Sequence, residues 1–262
     1  MLKRGRRLCF YPAQNFALTI MIHRQHSQSS QFIHDYFLYN EKLLPGIDLN
    51  FFSPEFWRKK GMLRGQAQGR GNAFAIDYGQ NHFFLRHYRR GGMIAPLMQD
   101  KYVWTGLNST RAWREFSLLQ VMYAKGLPVP RPVAAHVQQM GPLYRADIVT
   151  EKIEHSTSLS NFMAQGEVED DLWVKIGTCL RRFHLLGIVH ADLNAHNILI
   201  DANESIWLID FDKGVWNKPK RAHQQSNLQR LHRSLAKVWP QPQSHHGLAR
   251  AWNLLLQGYY TD

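Results

Sequence analysis

Apolar positions recur along this chain with two different periods. Over Asn72–Tyr78 and His82–Tyr88, short runs of branched and aromatic residues stand on either side of Gly79 and its polar neighbours, which predicts strand, turn, strand. From Thr110 to Lys125 the period lengthens. Ala112, Trp113, Phe116, Leu119 and Tyr123 fall at three- and four-residue spacing, Ser109 or Thr110 can cap the first turn, and Gly126 with Pro128 stops the helix. Pro128–His136 and Pro142–Ile153 suggest two more strands. A helix follows from about Ser158, then another from Asp170 or Asp171 to Leu186, ended by Gly187. Two short apolar runs, Ile198–Ile200 and Ile206–Ile209, bracket a turn of Asp201, Ala202 and Asn203, and the remainder is helical in tendency. Phe32–Phe56 is rich in aromatics, with a turn at Pro45 and Gly46. No internal repeat at solenoid periods is present.

With 262 residues and 44% hydrophobic content, the chain can bury a sizeable core as one large domain or two lobes. No apolar run approaches the roughly 18 residues of a membrane span. Two cysteines, Cys9 and Cys179, are too few for a disulfide framework and have no metal-ligand spacing, which favours a reducing compartment. The first thirty residues hold Lys3, Arg4, Arg6, Arg7 and Arg24 without an acid. Residues 1–30 are therefore expected to form a basic, weakly structured extension with no signal-type cleavage site, and Met21 is a plausible alternative start.

The net charge of +12 is unevenly spread. Between Asp147 and Asp212 twelve carboxylates face four basic residues, a net of −8, so the rest of the chain carries +20. From Lys213 to Thr261 there are eight basic residues and no acid. A basic balance favours an anionic partner without choosing among nucleic acid, nucleotide, membrane and glycolipid.

The acidic middle contains the feature with chemical content: His190-Ala-Asp192-Leu-Asn194-Ala-His196-Asn197, then Ile-Leu-Ile, then Ile206-Trp-Leu-Ile209-Asp210-Phe211-Asp212. Phosphoryl transfer needs a carboxylate near the attacking hydroxyl, an oxygen ligand for Mg²⁺, and a second carboxylate chelating that ion beside the phosphates of ATP. The spacing from Asp192 to Asn197 is that of the kinase loop H-R-D-x-x-x-x-N, and a turn-linked strand pair then delivers Asp-Phe-Asp where kinases have Asp-Phe-Gly. Asp192 would be the base, Asn197 and Asp210 the metal ligands, and His190 the support of the loop. Each residue taken singly is more often a structural polar group. A helix stop, an apolar run, a turn and a second apolar run ending in Asp-Phe, all in order, are what set the pattern apart.

A kinase reading requires a nucleotide-binding lobe upstream. No lysine lies between Gly61 and Asp100, so the phosphate-pairing cation must be an arginine. Arg86 occupies the expected strand position, with Arg89 and Arg90 as competitors. Glu115 is the sole carboxylate between Lys101 and Ala146 and is its expected partner. Gly65, Gly69 and Gly71 are a candidate phosphate loop, although their spacing departs from G-x-G-x-x-G. Thr150, Glu151, Lys152 and Ile153 are the expected hinge, with Glu151 and Ile153 contributing backbone groups to adenine. The expected fold is α+β and two-lobed, protein-kinase-like, with a β-rich lobe over 31–150, a mostly helical lobe over 151–262, and ATP and Mg²⁺ between them.

At Leu85-Arg-His-Tyr-Arg-Arg-Gly-Gly92, Thr110-Arg-Ala-Trp-Arg-Glu-Phe116, Gly126-Leu-Pro-Val-Pro-Arg-Pro132, His190–Ile200 and Leu208-Ile-Asp-Phe-Asp212 the sequence resembles the lipopolysaccharide core kinases, over roughly residues 35 to 260. The resemblance implies transfer of the ATP γ-phosphate to the 4-hydroxyl of a 3-deoxy-D-manno-octulosonic acid (Kdo) sugar on a lipid A precursor. The setting it implies is the cytoplasmic face of the Gram-negative inner membrane, with the protein peripheral on an anionic surface. It carries the base role onto Asp192 and the metal roles onto Asn197 and Asp210, and it suggests that His87–Gly92 touches phosphate or sugar acid.

Asp212 in place of glycine, and the absence of Ala-Pro-Glu after it, argue against an activation segment and a protein substrate. A heptose kinase of the same pathway remains an alternative. An aminoglycoside phosphotransferase shares the loop, but its cationic substrate calls for an acidic acceptor site, whereas the segment after Asp212 is basic. A nucleic-acid partner is not expected, since no RRM, zinc-finger or helix-turn-helix signature is evident.

Overall fold

The computed structural model describes residues 18–26, 32–66, 73–89, 100–166, 168–240 and 245–261. They fall into two compact units. One comprises residues up to 121 together with 131–152, the other 122–130 together with 153–262.

The first unit is built on an antiparallel sheet of eight strands: β1 (Leu18–His26), β2 (Phe32–Asn40), β3 (Leu63–Gln66), β4 (Ala73–Tyr78), β5 (Asn81–His87), β6 (Tyr102–Val103), β7 (Pro132–Met140) and β8 (Leu143–Glu151). Their order is β1-β2-β7-β8-β5-β4-β3, with β6 also paired to β8. Two hairpins follow from turn chemistry, since Gly79 and Gly141 take positive φ of 62° and 59° where β4 meets β5 and β7 meets β8. The core gathers Phe37, Leu44, Phe51, Phe52, Trp57, Ile76, Phe83, Leu85 and Val149. Helix α1 (Pro54–Lys59) contributes Trp57, whose indole N–H donates to the carbonyl of Phe51 at 2.8 Å. Helix α2 (Arg111–Ala124) buries Ala112, Trp113, Phe116, Leu119 and Met122 along the stripe read from the sequence, with Met122 at 0% exposure taking the place expected for Tyr123.

One finding differs from the sequence expectations and another goes beyond them. The segment taken as a weakly structured extension contains β1, which pairs antiparallel with β2 from Leu18↔Asn40 to His26↔Phe32. The aromatic stretch after it supplies β2, which runs beside β7. Within this layer Asp35 and Asp147 close on His136, with Nε2 donating to Asp35 Oδ1 at 2.9 Å and Nδ1 to Asp147 Oδ2 at 3.0 Å, while His87 meets the other oxygen of Asp147 at 2.6 Å. Burial pushes the His136 imidazolium down, but bonds to two carboxylates outweigh it and raise the group to about 9. Its stabilisation is therefore complete below the ordinary histidine value near 6.5 and is lost as pH rises through about 9. Wild-type protein should lose about 3 kcal/mol of stability across that interval, by denaturant titration at several pH values. His136→Gln should flatten the profile there, and a wild-type profile already flat would contradict the buried imidazolium.

The second unit is mostly helical: α3 (Leu159–Gln165), α4 (Asp170–Leu185), α5 (Arg221–Val238) and α6 (His245–Tyr260). Between them lie β9 (Thr157–Ser158), β10 (Ile188–Val189), β11 (Ile198–Ile200), β12 (Ile206–Leu208) and β13 (Val215–Trp216), pairing as β12-β11-β9 and β10-β13. Helix α3 begins at Ser158, whose hydroxyl accepts from the Asn161 amide. Helices α4 and α6 meet backbone to backbone, and a Cβ at Gly177 would stand 1.9 Å from the Leu255 carbonyl oxygen, one at Gly258 2.1 Å from that of Val174. Segment 122–130 belongs here because the Leu208 amide donates to the Pro128 carbonyl and Arg182 to that of Gly126.

Candidate active site

In the first unit Arg86 lies on β5, where Phe83 and Leu85 enter the core and Phe84 and Arg86 take the opposite face. Its Nη2 donates to Glu115 Oε2, and the Tyr88 hydroxyl donates to the same oxygen at 2.5 Å. Glu115 is 3% exposed, a carboxylate whose burial demands these partners. The Arg86 guanidinium lies 4.8 Å from the centre of the Tyr88 ring, and Arg111 lies 5.0 Å from the same ring. The cluster holds a planar fork suited to phosphate oxygens against a buried anion. Arg89 is exposed, and Arg90 lies outside the described residues. Of the candidate phosphate loop, Gly65 sits in β3 with φ of 144° at a register shift against β4, while Gly69 and Gly71 lie outside the described residues. At the expected hinge the Glu151 amide donates to the Arg131 carbonyl and the Lys152 amide to that of His82. The Ile153 carbonyl accepts from Ser156 Oγ at 2.7 Å. Burial raises the Glu151 carboxyl despite Arg131 beside it.

In the second unit the loop after β10 is tied at each chemically interesting position. The Asp192 amide donates to His190 Nδ1 at 3.2 Å, so the ring's Nε2–H donates to the Ile209 carbonyl at 2.9 Å. Burial depresses the imidazolium of His190, in keeping with a neutral ring working as donor and acceptor at once. Asn197 Nδ2 donates to the Asp192 carbonyl at 2.9 Å, and the Ile209 amide donates to the Asn197 carbonyl at 3.0 Å. Both polar groups of the Ile209 peptide backbone are thus anchored to the loop. The next residue, Asp210, has φ of 67°, a left-handed conformation uncommon for a residue with a side chain. Phe211, 1% exposed, packs 4.5 Å from the His190 ring and 5.8 Å from Phe183, which fixes the segment from beneath. Asp192, Asn197 and Asp210 are therefore joined by four hydrogen bonds through His190 and Ile209. The β11–β12 turn is closed by Asp201, whose carboxylate accepts from the amides of Asn203 and Ser205 and from the Trp207 indole, each at 2.9 Å.

The family model for "Lipopolysaccharide kinase (Kdo/WaaP) family" matches residues 54–259, a span that includes both clusters. The chain belongs to the lipopolysaccharide kinase (Kdo/WaaP) family. Among its relatives, a 3-deoxy-D-manno-octulosonic acid kinase of Photobacterium profundum is 42% identical over 208 residues, covering 79% of this chain and 87% of that protein. The protein of the same name in Vibrio cholerae serotype O1 is 43% identical over 185 residues, covering 71% and 78%. That of Vibrio vulnificus is 35% identical over 235 residues, covering 90% and 99%. Membership makes this protein a kinase of α+β, protein-kinase-like fold that uses ATP.

In this lipopolysaccharide kinase the donors at Asn197 and Asp210 are an amide and a carboxylate, hard oxygen ligands of the kind Mg²⁺ takes when substrate phosphates complete its shell. Among the described residues no group of three His, Cys, Asp or Glu side chains is arranged to hold a metal. Asn197 directs its Nδ2 to the Asp192 carbonyl at 2.9 Å, and its amide oxygen Oδ1 is the atom that a cation would take. Sequence reasoning missed three residues on the loop's far side. Asn227 Oδ1 accepts from the His190 amide at 3.1 Å, Ser234 Oγ accepts from the Ala195 amide at 3.1 Å, and Arg230 Nη1 donates to Asp192 Oδ1 at 3.4 Å. All three lie on α5. It also missed Tyr88, which the run His87–Gly92 contained without indicating its partner.

Proposed function

We propose that this kinase transfers the γ-phosphate of ATP to the 4-hydroxyl of a Kdo sugar on a lipid A precursor in lipopolysaccharide inner-core assembly. The observation that supports the reading is the hydrogen-bonded loop from His190 to Ile209, which carries the exposed carboxylate of Asp192 and the amide of Asn197 and leads directly into Asp210. Relatives at about 40% identity bear the name 3-deoxy-D-manno-octulosonic acid kinase, which supports Kdo as the acceptor sugar. Asp192 accepts the proton of the sugar hydroxyl as that oxygen attacks phosphorus. Asn197 and Asp210 hold Mg²⁺, which when bound neutralises charge on the phosphate oxygens. Arg86, oriented by Glu115 and Tyr88, pairs with the phosphates of ATP, and backbone groups near Glu151 and Ile153 take the adenine.

The setting in this reading is the cytoplasmic face of the inner membrane, with the basic flanks of the chain against an anionic leaflet. Among the described residues no helix is long and apolar enough to cross a membrane.

An acceptor panel tests the assignment. Protein incubated with labelled ATP, Mg²⁺ and, separately, Kdo-lipid A precursor, heptosylated core, an aminoglycoside or RNA should label the first alone. Label in heptosylated core with an unmodified Kdo would replace this reading with a heptose kinase.

A further inference from the structure

Helix α5 is fastened to the loop that carries Asp192 by residues three and four positions apart, Asn227, Arg230 and Ser234, which share one face of the helix. The outer two are structural. Asn227 is 4% exposed and receives the His190 amide, and it also accepts from His184 Nε2 at 3.3 Å. Ser234 receives the Ala195 amide. Leu228, Leu231 and Leu235 anchor the helix in the core at 5%, 0% and 0% exposure. Position 230 is thereby fixed beside Asp192.

The residue found there does little for the fold. The Arg230 and Asp192 side chains are 47% and 64% exposed, and their single contact is 3.4 Å long with no fork geometry. Such an exposed, long pair adds little to stability. A guanidinium carries five donors, and one of them reaches Asp192.

Resting on the reading that a Kdo hydroxyl is delivered to Asp192, we propose that Arg230 forms an acceptor subsite for a carboxylate, binding the acid group of the same sugar whose hydroxyl is phosphorylated. In a sugar acid of this type the carbon bearing the carboxylate and the carbon bearing the 4-hydroxyl are separated by a single methylene. A hydroxyl brought to Asp192 therefore carries its carboxylate into the neighbourhood of the guanidinium. The pairing of planar fork with carboxylate is the one that arginine makes best, and it selects a sugar acid over a neutral heptose or a polycationic aminoglycoside.

The test compares two acceptors, Kdo-lipid A precursor and the same molecule with the Kdo carboxyl converted to its primary amide. They are assayed with wild-type protein, Arg230→Lys and Arg230→Gln. Wild type should favour the carboxylate by about 10- to 100-fold in acceptor kcat/KM, the range of a hydrogen bond to a charged group. Arg230→Gln should lose that preference and treat both acceptors alike, with the KM for ATP and the melting temperature unchanged, while Arg230→Lys recovers part of it. Equal loss on both acceptors would overturn the proposal by assigning Arg230 to the phosphoryl group or to Asp192 itself, and so would a wild-type enzyme indifferent to the amide. The wild-type comparison needs no variant to fold. Wild-type protein that phosphorylates neither acceptor would overturn the Kdo reading itself, a distinct outcome.

Discussion

Asp192→Asn is expected to lower kcat for phosphate transfer to Kdo-lipid A precursor by about 10²- to 10⁴-fold, the range that general-base catalysis supplies, while the melting temperature stays at the wild-type value. The two halves of that expectation have separate causes. The Asp192 side chain is 64% exposed and its contact with Arg230 is long, so an isosteric amide removes almost nothing from the fold. What position 192 contributes to the loop is backbone. Its amide donates to His190, and its carbonyl accepts from Asn194 Nδ2 and Asn197 Nδ2 at 2.9 Å each, all of which the substitution retains. The carboxylate alone is lost. Wild-type turnover in Asp192→Asn, or loss of turnover that tracks unfolding, would remove Asp192 from the base role.

Arg86 behaves differently because its partner is buried. Arg86→Ala strips the cation from a glutamate that is 3% exposed, and breaking such a pair costs about 3–5 kcal/mol. That variant should unfold at lower denaturant concentration, so its loss of activity is mixed with loss of structure. Arg86→Lys separates the two effects. The ammonium keeps a charge beside Glu115 but lacks the planar fork and the stacking on Tyr88. Near-normal stability is expected, with kcat/KM for ATP reduced by about tenfold or more, as for loss of a charge-assisted hydrogen bond. An Arg86→Lys enzyme equal to wild type toward ATP would dissociate the Arg86–Glu115 pair from nucleotide binding.

Much of this arrangement could be read from residue order, because it is carried by local pattern. The turn at Gly79, the stripe of α2 and the paired apolar runs around Asp201 each depend on neighbours within a few positions, and the structure has them as β4–β5, α2 and β11–β12. Strand β2 escaped because Asp35, Phe37, Leu38, Tyr39 and Asn40 are all buried, so polar and apolar positions do not alternate along it. The triad of Asp35, His136 and Asp147 joins residues up to 112 positions apart in sequence, and nothing local marks it. Arg230 shows the same limit at the candidate site. Within a run of eight basic residues it resembles a solvated helical charge, and it gains its position through Asn227 and Ser234, two small polar side chains whose targets are 37 and 39 residues away. Glu115 was found by elimination, as the one carboxylate in its stretch. The hydroxyl of Tyr88, which shares that carboxylate, had no such constraint to expose it.

The measurement that bears most directly on the account is the structure of the product. Wild-type protein, ATP and Mg²⁺ are incubated with Kdo-lipid A precursor, and the phosphate is located by mass spectrometry and by phosphorus–proton coupling in NMR. One added phosphate is expected, on the 4-hydroxyl of Kdo, absent from a parallel reaction with Asp192→Asn. A phosphate on any other sugar or hydroxyl, or an unmodified acceptor beside consumed ATP, would contradict it.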